Sequence, residues 1–131
     1  MPMYLFVYGT LTRGEPTEFA RTLEAEAQFA GEATVSGRLY RLPHYPCMIR
    51  GDDGAVKGDL FTGASDTLMR ELDDWEGADY RRETIVANRS NGTVVEAWIY
   101  VYTAPLDGLP LITSGDWLKH KSGLHNEALG S

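Results

Sequence analysis

The amino-acid sequence predicts an α+β protein whose largely antiparallel sheet curls around a hydrophobic core. The chain has 131 residues, of which 43% are hydrophobic, so one domain can bury a core without disulfides. The predicted elements run strand, helix, then mostly strands with one inserted helix, which is unlike an alternating parallel-sheet fold. An Asn-Gly pair between two strand-like segments also predicts an antiparallel hairpin.

The N-terminal segment predicts one buried strand and one helix. Residues 3–8, MYLFVY, are apolar and aromatic and stop at Gly9, which is typical of a strand buried on both faces. Residues 15–28 carry Pro16 near their start, where a helix tolerates proline. Gly31 is expected to close this helix, whose apolar residues recur every fourth position: Phe19, Leu23 and Ala27.

The middle of the chain predicts two strands. In residues 33–42, small or apolar side chains alternate with polar ones, as in a half-buried strand. Pro43 and Pro46 then bracket a loop. The sequence DDG at residues 52–54 is a turn signal and leads into a second strand, residues 55–62.

A second helix is predicted between Ser65 and Gly77. Serine is a favoured N-cap, and glycine is a favoured residue at a helix C-terminus. Leu68, Leu72 and Trp75 fall on one face and are expected to anchor the helix.

The C-terminal part predicts a hairpin and a short helix. Residues 80–88 and 93–102 are strand-like and flank the Asn-Gly turn at residues 91–92. Ser114 is expected to cap a helix of residues 116–121. Residues 1–121 are thus expected to form a single domain, and residues 122–131, which are mostly polar, a flexible tail.

The charge and cysteine content exclude several classes of function. The formal net charge is −7 and the basic residues are scattered, so a nucleic-acid partner is not expected. The longest early apolar run is too short to span a membrane and lacks the features of a signal peptide. One cysteine, Cys47, excludes an intramolecular disulfide and suits a reducing compartment. A cytoplasmic protein without membrane contact is expected.

Two segments are candidates for a functional site. The first is YGTLTRGEP, residues 8–16, in which the amides of Gly9, Thr10 and Leu11 follow a strand and are suited to bind an anionic or carbonyl oxygen. The alternative is a turn without a ligand. The second is LDDWEGADYRR, residues 72–82, which contains Glu76 near the end of the predicted helix.

The position of Glu76 predicts a carboxyl group with a raised pKa, because the helix dipole and neighbouring carboxylates disfavour its charge there. Such a group is suited to act as a general base. One alternative is an exposed acidic face paired with Arg81 or Arg82. Another is a metal site, formed by Asp73, Asp74, Glu76 and Asp79, although the spacing does not match a calcium loop. Tyr80 either places its hydroxyl near Glu76 or packs in the core.

Cys47 and His44 suggest a thiol nucleophile, but lone cysteines are more often small buried hydrophobes. A further alternative is a protein-interaction domain, in which the aromatic residues from Trp98 to Tyr102 form an exposed patch and no cleft is open. A solvent-exposed Trp98 would support that alternative.

Five segments in fixed order resemble the γ-glutamylcyclotransferase-like superfamily, most closely its γ-glutamylamine cyclotransferase branch. They are FVYGTLTRGEP, GRLYRLPHYPC, VKGDLF, LDDWEGADYRR and AWIYVY, and they span residues 4–102. The resemblance implies a small mixed, mostly antiparallel β-barrel with two or three flanking helices. Trp75 and Cys47 stand where the family more often has tyrosine and alanine.

The resemblance also implies a function and its residues. Glu76 would be the catalytic acid/base, and Tyr80 would lie at the pocket. The γ-glutamyl part of the substrate would bind to the loop of Tyr8, Gly9, Thr10 and Leu11. The reaction releases 5-oxoproline from a small γ-glutamyl substrate and needs no metal and no cofactor. A binding module for γ-glutamyl-like anions, without turnover, is the alternative. The sequence leaves open the leaving group, the oligomeric state and the role of Cys47.

Overall fold

The computed structural model describes residues 4–12, 15, 17–43 and 45–120. In chain order these residues form strand β1 (Tyr4–Val7), helix α1 (Glu18–Glu26), strands β2 (Gln28–Arg41) and β3 (Pro46–Thr62), helix α2 (Asp66–Glu76) and strands β4 (Tyr80–Arg89) and β5 (Val94–Tyr102). None of the helices in these ranges is long and apolar enough to cross a membrane.

The strands close into a barrel in the order β1-β3-β2-β4-β5. Strand β1 closes it, because it pairs antiparallel with β3 and parallel with β5. The other neighbouring strands are antiparallel. This architecture confirms the predicted α+β fold with a mixed, mostly antiparallel barrel and flanking helices.

Two hydrophobic clusters hold the structure together, one on each side of the sheet. The barrel interior contains Phe6, Tyr8, Ala33, Val35, Leu39, Met48, Val56, Leu60, Ile85, Ala87, Ala97, Ile99, Val101, Ile112 and Trp117. The outer cluster joins the helices to β1, β3 and β5 and contains Leu5, Val7, Leu11, Leu23, Ala27, Phe61, Leu68, Met69, Leu72 and Tyr100. Strand β1 contributes to both clusters, which confirms that it is buried on both faces.

Helix α1 is shorter than predicted, and Gly31 does not end it. The helix begins at Glu18 because the Thr17 hydroxyl caps it, accepting a hydrogen bond from the Ala20 amide at 3.2 Å. Strand β2 already begins two residues after the helix, and Phe29 packs edge-on against Phe61 of β3. Gly31 lies inside β2 with φ of 108°, where the register with β3 shifts. Gln28, which the predicted helix had included, therefore pairs with Thr62 of β3 instead.

The DDG signal at residues 52–54 does not start a new strand. Strand β3 runs through it, while its register with β2 jumps from Arg50 opposite Gly37 to Ala55 opposite Ser36. The intervening residues form a bulge, and Asp53 in the bulge forms an ion pair with Arg38 on β2. Residues 52–54 thus form part of a bulge within one long strand, and not a turn that leads into a new strand.

The local signals at the remaining elements were mostly correct. Ser65 caps α2 by accepting from the Leu68 amide at 3.1 Å, and Gly77 ends it with φ of 84°. Strands β4 and β5 form the predicted hairpin. Ser114 was the wrong cap for the last helical turn, residues 117–120, because the Asp116 carboxylate accepts from the Lys119 amide at 3.1 Å. Residues 121–131 lie outside the described residues.

Candidate functional site

A cleft lies where the loop after β1, the start of β3 and the end of α2 meet. It is lined by Phe6, Val7, Tyr8, Gly9, Thr10, Leu11, Tyr45, Pro46, Glu76, Tyr80 and Tyr100. The cleft thus brings together the residues predicted to act on a substrate, which come from two segments far apart in the sequence. It adds Tyr45, Pro46 and Tyr100, which the sequence had not singled out for the site.

The loop after β1 presents backbone amides to this cleft. The Gly9 carbonyl accepts from the Thr12 amide at 3.0 Å and the Thr12 hydroxyl at 2.6 Å, and the Thr10 carbonyl accepts from the Thr17 hydroxyl at 2.7 Å. The amides of Gly9, Thr10 and Leu11 donate no hydrogen bond to any other described residue. The Gly9 and Thr10 carbonyls are thus held in place, and the three amides are available to bind an oxygen of a ligand.

Glycine is required at position 9 for a packing reason. A Cβ atom there would lie 2.5 Å from Cγ of Pro46, which lines the opposite wall of the cleft. The absence of a side chain at Gly9 therefore allows Pro46 to pack against the backbone of this loop.

Glu76 is the last residue of α2, and its half-buried side chain lines the cleft. Burial raises the pKa of this carboxyl group to about 7. Among the described residues, none forms a hydrogen bond or ion pair with it. The predicted direction of the shift agrees with this pKa, but the cause is desolvation rather than the neighbouring carboxylates.

The arginines expected beside Glu76 bind elsewhere. Arg82 on β4 contacts Asp73, with Nε 2.9 Å from one carboxylate oxygen, and Arg81 pairs with Glu83. The reading of Glu76 as one member of an exposed, arginine-paired acidic face is therefore wrong. Glu76 faces a cleft without either of these cations.

Asp73, in the last turn of α2, has a partner on each of the strands β4 and β5. Its carboxylate accepts a hydrogen bond from the Tyr100 hydroxyl at 2.7 Å, in addition to the ion pair with Arg82. The Arg82 guanidinium also lies 4.5 Å from the centre of the Trp98 ring. These contacts tie the last turn of α2 to β4 and β5, and so fix the backbone that carries Glu76.

Trp98 is half-buried here, which does not support an exposed aromatic patch.

We expect Asp73→Ala to lower the free energy of unfolding by about 1–2 kcal/mol, because the Tyr100 hydroxyl and the Arg82 guanidinium lose their common acceptor. Asp74→Ala is the matched control, since Asp74 is the next residue of the same helix and is exposed. Urea unfolding at neutral pH measures both. Equal effects of the two substitutions would contradict the role given to Asp73.

Two tyrosines frame the carboxylate of Glu76. The Tyr8 hydroxyl donates to the Tyr100 carbonyl at 2.7 Å, and the Tyr80 hydroxyl donates to the Pro46 carbonyl at 3.2 Å. Burial, and next the nearby Glu76 carboxylate, raise the pKa of both hydroxyls. Both tyrosines are therefore neutral, and Tyr80 lies at the cleft and also packs against Tyr102.

Cys47 is buried, and burial raises its pKa to about 11. A thiol with such a pKa is protonated at neutral pH, so the structure does not support Cys47 as a nucleophile. His44 lies outside the described residues.

Trp75 does not anchor α2 as predicted. Its side chain is 40% exposed, whereas Leu68 and Leu72 on the same face are buried. The ring packs against Phe19 of α1, with centroids 5.3 Å apart, at the edge of the cleft. This exposure leaves the Trp75 ring available to contact a ligand.

The fold and the cleft define a class of protein: a small closed barrel that presents a half-buried carboxylate and available backbone amides to a cleft. Residues 5–119 match the family described as gamma-glutamyl cyclotransferase, AIG2-like. The chain belongs to this family, which confirms the resemblance read from its motifs.

Similar proteins and solved structures support the assignment of the chain to this family. The gamma-glutamylcyclotransferase family protein YtfP from Escherichia coli is 38% identical over 119 residues, covering 88% of this chain and 96% of that protein. The solution structure of YtfP matches with a TM-score of 0.66 at 36% identity, over 91% of this chain and 99% of YtfP. The crystal structure of an AIG2-like protein from Mus musculus matches with a TM-score of 0.73 at 25% identity, over 88% of each chain.

Proposed function

We propose that this protein is a γ-glutamyl cyclotransferase that converts a γ-glutamyl amide or amine into 5-oxoproline and a free amine, with Glu76 as general acid/base. The observation that carries the proposal is the environment of Glu76. Its carboxyl group is half-buried, has a pKa of about 7 and lines the same cleft as the Gly9 amide. A carboxyl group with a pKa near the working pH is suited both to accept and to donate a proton.

The reaction uses a nucleophile that the substrate carries. The α-amine attacks the γ-carbonyl carbon, a new C–N bond closes the five-membered lactam, and the bond to the leaving nitrogen breaks. The nitrogen of the α-ammonium loses two protons, one before the attack and one as the lactam forms. Glu76 accepts each proton in turn and passes it to the leaving nitrogen, which departs as an ammonium ion. No water is consumed. Holding the chain folded back on itself contributes several kcal/mol to lowering the barrier.

The loop after β1 supplies hydrogen-bond donors for the negatively charged oxygens of the substrate. Gly9, Thr10 and Leu11 have amides with no acceptor among the described residues, so they are suited to bind the substrate α-carboxylate or the oxyanion that develops on the γ-carbonyl. Tyr8 and Tyr80 line the cleft on either side of Glu76 as neutral hydroxyls and complete the substrate pocket. Fixed dipoles of this kind need no reorganisation during the reaction.

A panel of γ-glutamyl amines, γ-glutamyl amino acids and glutathione, with 5-oxoproline release as the readout, tests the proposed reaction. We expect turnover of at least one member of the panel. Binding of 5-oxoproline in calorimetry, with no turnover across the panel, would instead identify a binding module.

The pH dependence of the reaction tests the role of Glu76. We expect kcat/KM to fall about tenfold for each pH unit below about 7, because only the unprotonated carboxylate can accept the α-ammonium proton. Initial rates between pH 4.5 and 8 measure this, with circular dichroism checking that the protein remains folded. A decline that begins only near pH 4.5, the ordinary value for glutamate, would contradict the assignment.

A further inference from the structure

A wider vestibule of about 350 Å³ adjoins the cleft. It shares Thr10, Tyr45, Glu76 and Tyr80 with the cleft and adds Thr17 and Trp75. Glu76 therefore stands at the boundary between the two spaces.

The position of Glu76 determines which part of a substrate lies in each space. In the proposed reaction, Glu76 has to reach both the α-amine and the leaving nitrogen, so the bond that breaks lies beside it. The γ-glutamyl part belongs with the amides of Gly9, Thr10 and Leu11, which line the cleft. The group carried by the leaving nitrogen then extends into the vestibule.

Aromatic rings supply much of the vestibule wall. Trp75 is 40% exposed and Tyr45 is 43% exposed, although both side chains are large and hydrophobic. Phe19 supports the Trp75 ring from α1, with centroids 5.3 Å apart. Apart from Glu76, the described residues that line the vestibule are uncharged. A flat apolar group is suited to cover such rings, because burying it and stacking it are both favourable.

We propose that the vestibule is the leaving-group subsite and that Trp75 gives the enzyme a preference for amines that carry an aromatic ring. This inference rests on the proposed function. Trp75 contributes by stacking on the leaving group, and it takes no part in proton transfer.

The test compares γ-glutamyl benzylamide with γ-glutamyl methylamide. We expect Trp75→Ala to lower the ratio of their kcat/KM values by about three- to tenfold relative to the wild type, which is the range of one aromatic contact. The ratio cancels any general loss of activity, because both substrates share the γ-glutamyl part. Trp75→Phe is expected to retain most of the preference.

Phe29→Ala is the matched control. Phe29 is 42% exposed and packs against another aromatic ring, Phe61, but it does not line the vestibule. Its substitution should leave the ratio unchanged. A ratio that Trp75→Ala also leaves unchanged would overturn the inference.

A binding measurement separates this inference from the proposed reaction. Calorimetry with Glu76→Gln compares the affinities for the two amides without turnover. We expect tighter binding of the benzylamide, and loss of that difference when Trp75→Ala is added. If the wild type turns over neither amide nor any member of the panel while this difference in affinity is found, the proposed reaction fails and the subsite stands. Equal affinities for the two amides would overturn the subsite.

Discussion

Replacing Glu76 with glutamine is expected to reduce the release of 5-oxoproline by about 10²–10⁴-fold while the protein stays folded. Glutamine has nearly the same shape as glutamate, but its amide cannot accept a proton from the α-ammonium. Because the loss lies in proton transfer, we expect kcat to fall far more than KM rises. Steady-state kinetics on a substrate identified with the panel measure both.

The same variant should be more stable than the wild type at neutral pH. The pKa of Glu76 is about 7 in the folded protein, against 4.5 as the ordinary value, so the folded state binds the proton more tightly. The wild type therefore loses stability as the pH rises from about 4.5 to about 7, by about 2 kcal/mol, and the glutamine variant does not. Urea unfolding at pH 4.5 and 7.5 measures the difference.

Asp74→Asn is the control for both measurements, since it removes an exposed carboxylate from the same helical turn. It should change neither turnover nor the pH dependence of stability. Wild-type turnover by Glu76→Gln would show that another group moves the proton.

Gly58→Ala is expected to lower the free energy of unfolding by about 3 kcal/mol. A Cβ atom at this position would lie 2.2 Å from the carbonyl oxygen of Val7 and 2.7 Å from Cζ of Phe6. The first of these atoms belongs to the backbone of β1, so relief requires β1 to move away from β3. Strand β1 leads directly into the Gly9 loop, and activity should fall with stability.

Gly51→Ala separates this clash from the general effect of adding a methyl group to β3. Gly51 lies in the same strand, and its added Cβ atom would lie 3.4 Å from the nearest atom, the Asp53 carboxylate. We expect a change within about 0.5 kcal/mol for this control. Thermal unfolding of both variants provides the comparison, and similar losses would contradict the packing argument.

Elements with local signals could be predicted from the sequence. Helix α2 begins after Ser65 and ends at Gly77, as predicted, because an N-cap hydrogen bond and a glycine with positive φ depend only on residues close in sequence. The Asn-Gly turn likewise defined the β4–β5 hairpin. Gly31 and the DDG segment were misread, because pairing of β2 with β3 overrides the local preference at both places. Such pairing joins residues distant in sequence and leaves no local pattern.

The candidate site was predictable for a different reason. Glu76 stood out because a carboxylate at a helix end breaks a local rule, and local rules tend to be broken at functional sites. The sequence indicated Arg82 as a possible partner of this acidic turn, and Arg82 does pair with Asp73. The hydrogen bond from Tyr100 was not predictable, since Tyr100 lies on β5, 27 residues further along the chain. The exposure of Trp75 depends on how α2 packs against α1 and the sheet, which its helical periodicity does not encode.

The parallel pairing of β1 with β5 has a consequence for biosynthesis. Strand β1 needs one of its partners from residues 94–102, which are made last among the strands of the described residues. A nascent chain that ends before Val94 already contains the Gly9 amide and the Glu76 carboxylate. It lacks Tyr100 and the strand that closes the barrel, so it has no complete cleft. The candidate site is therefore complete only after residues 94–102 have been synthesised.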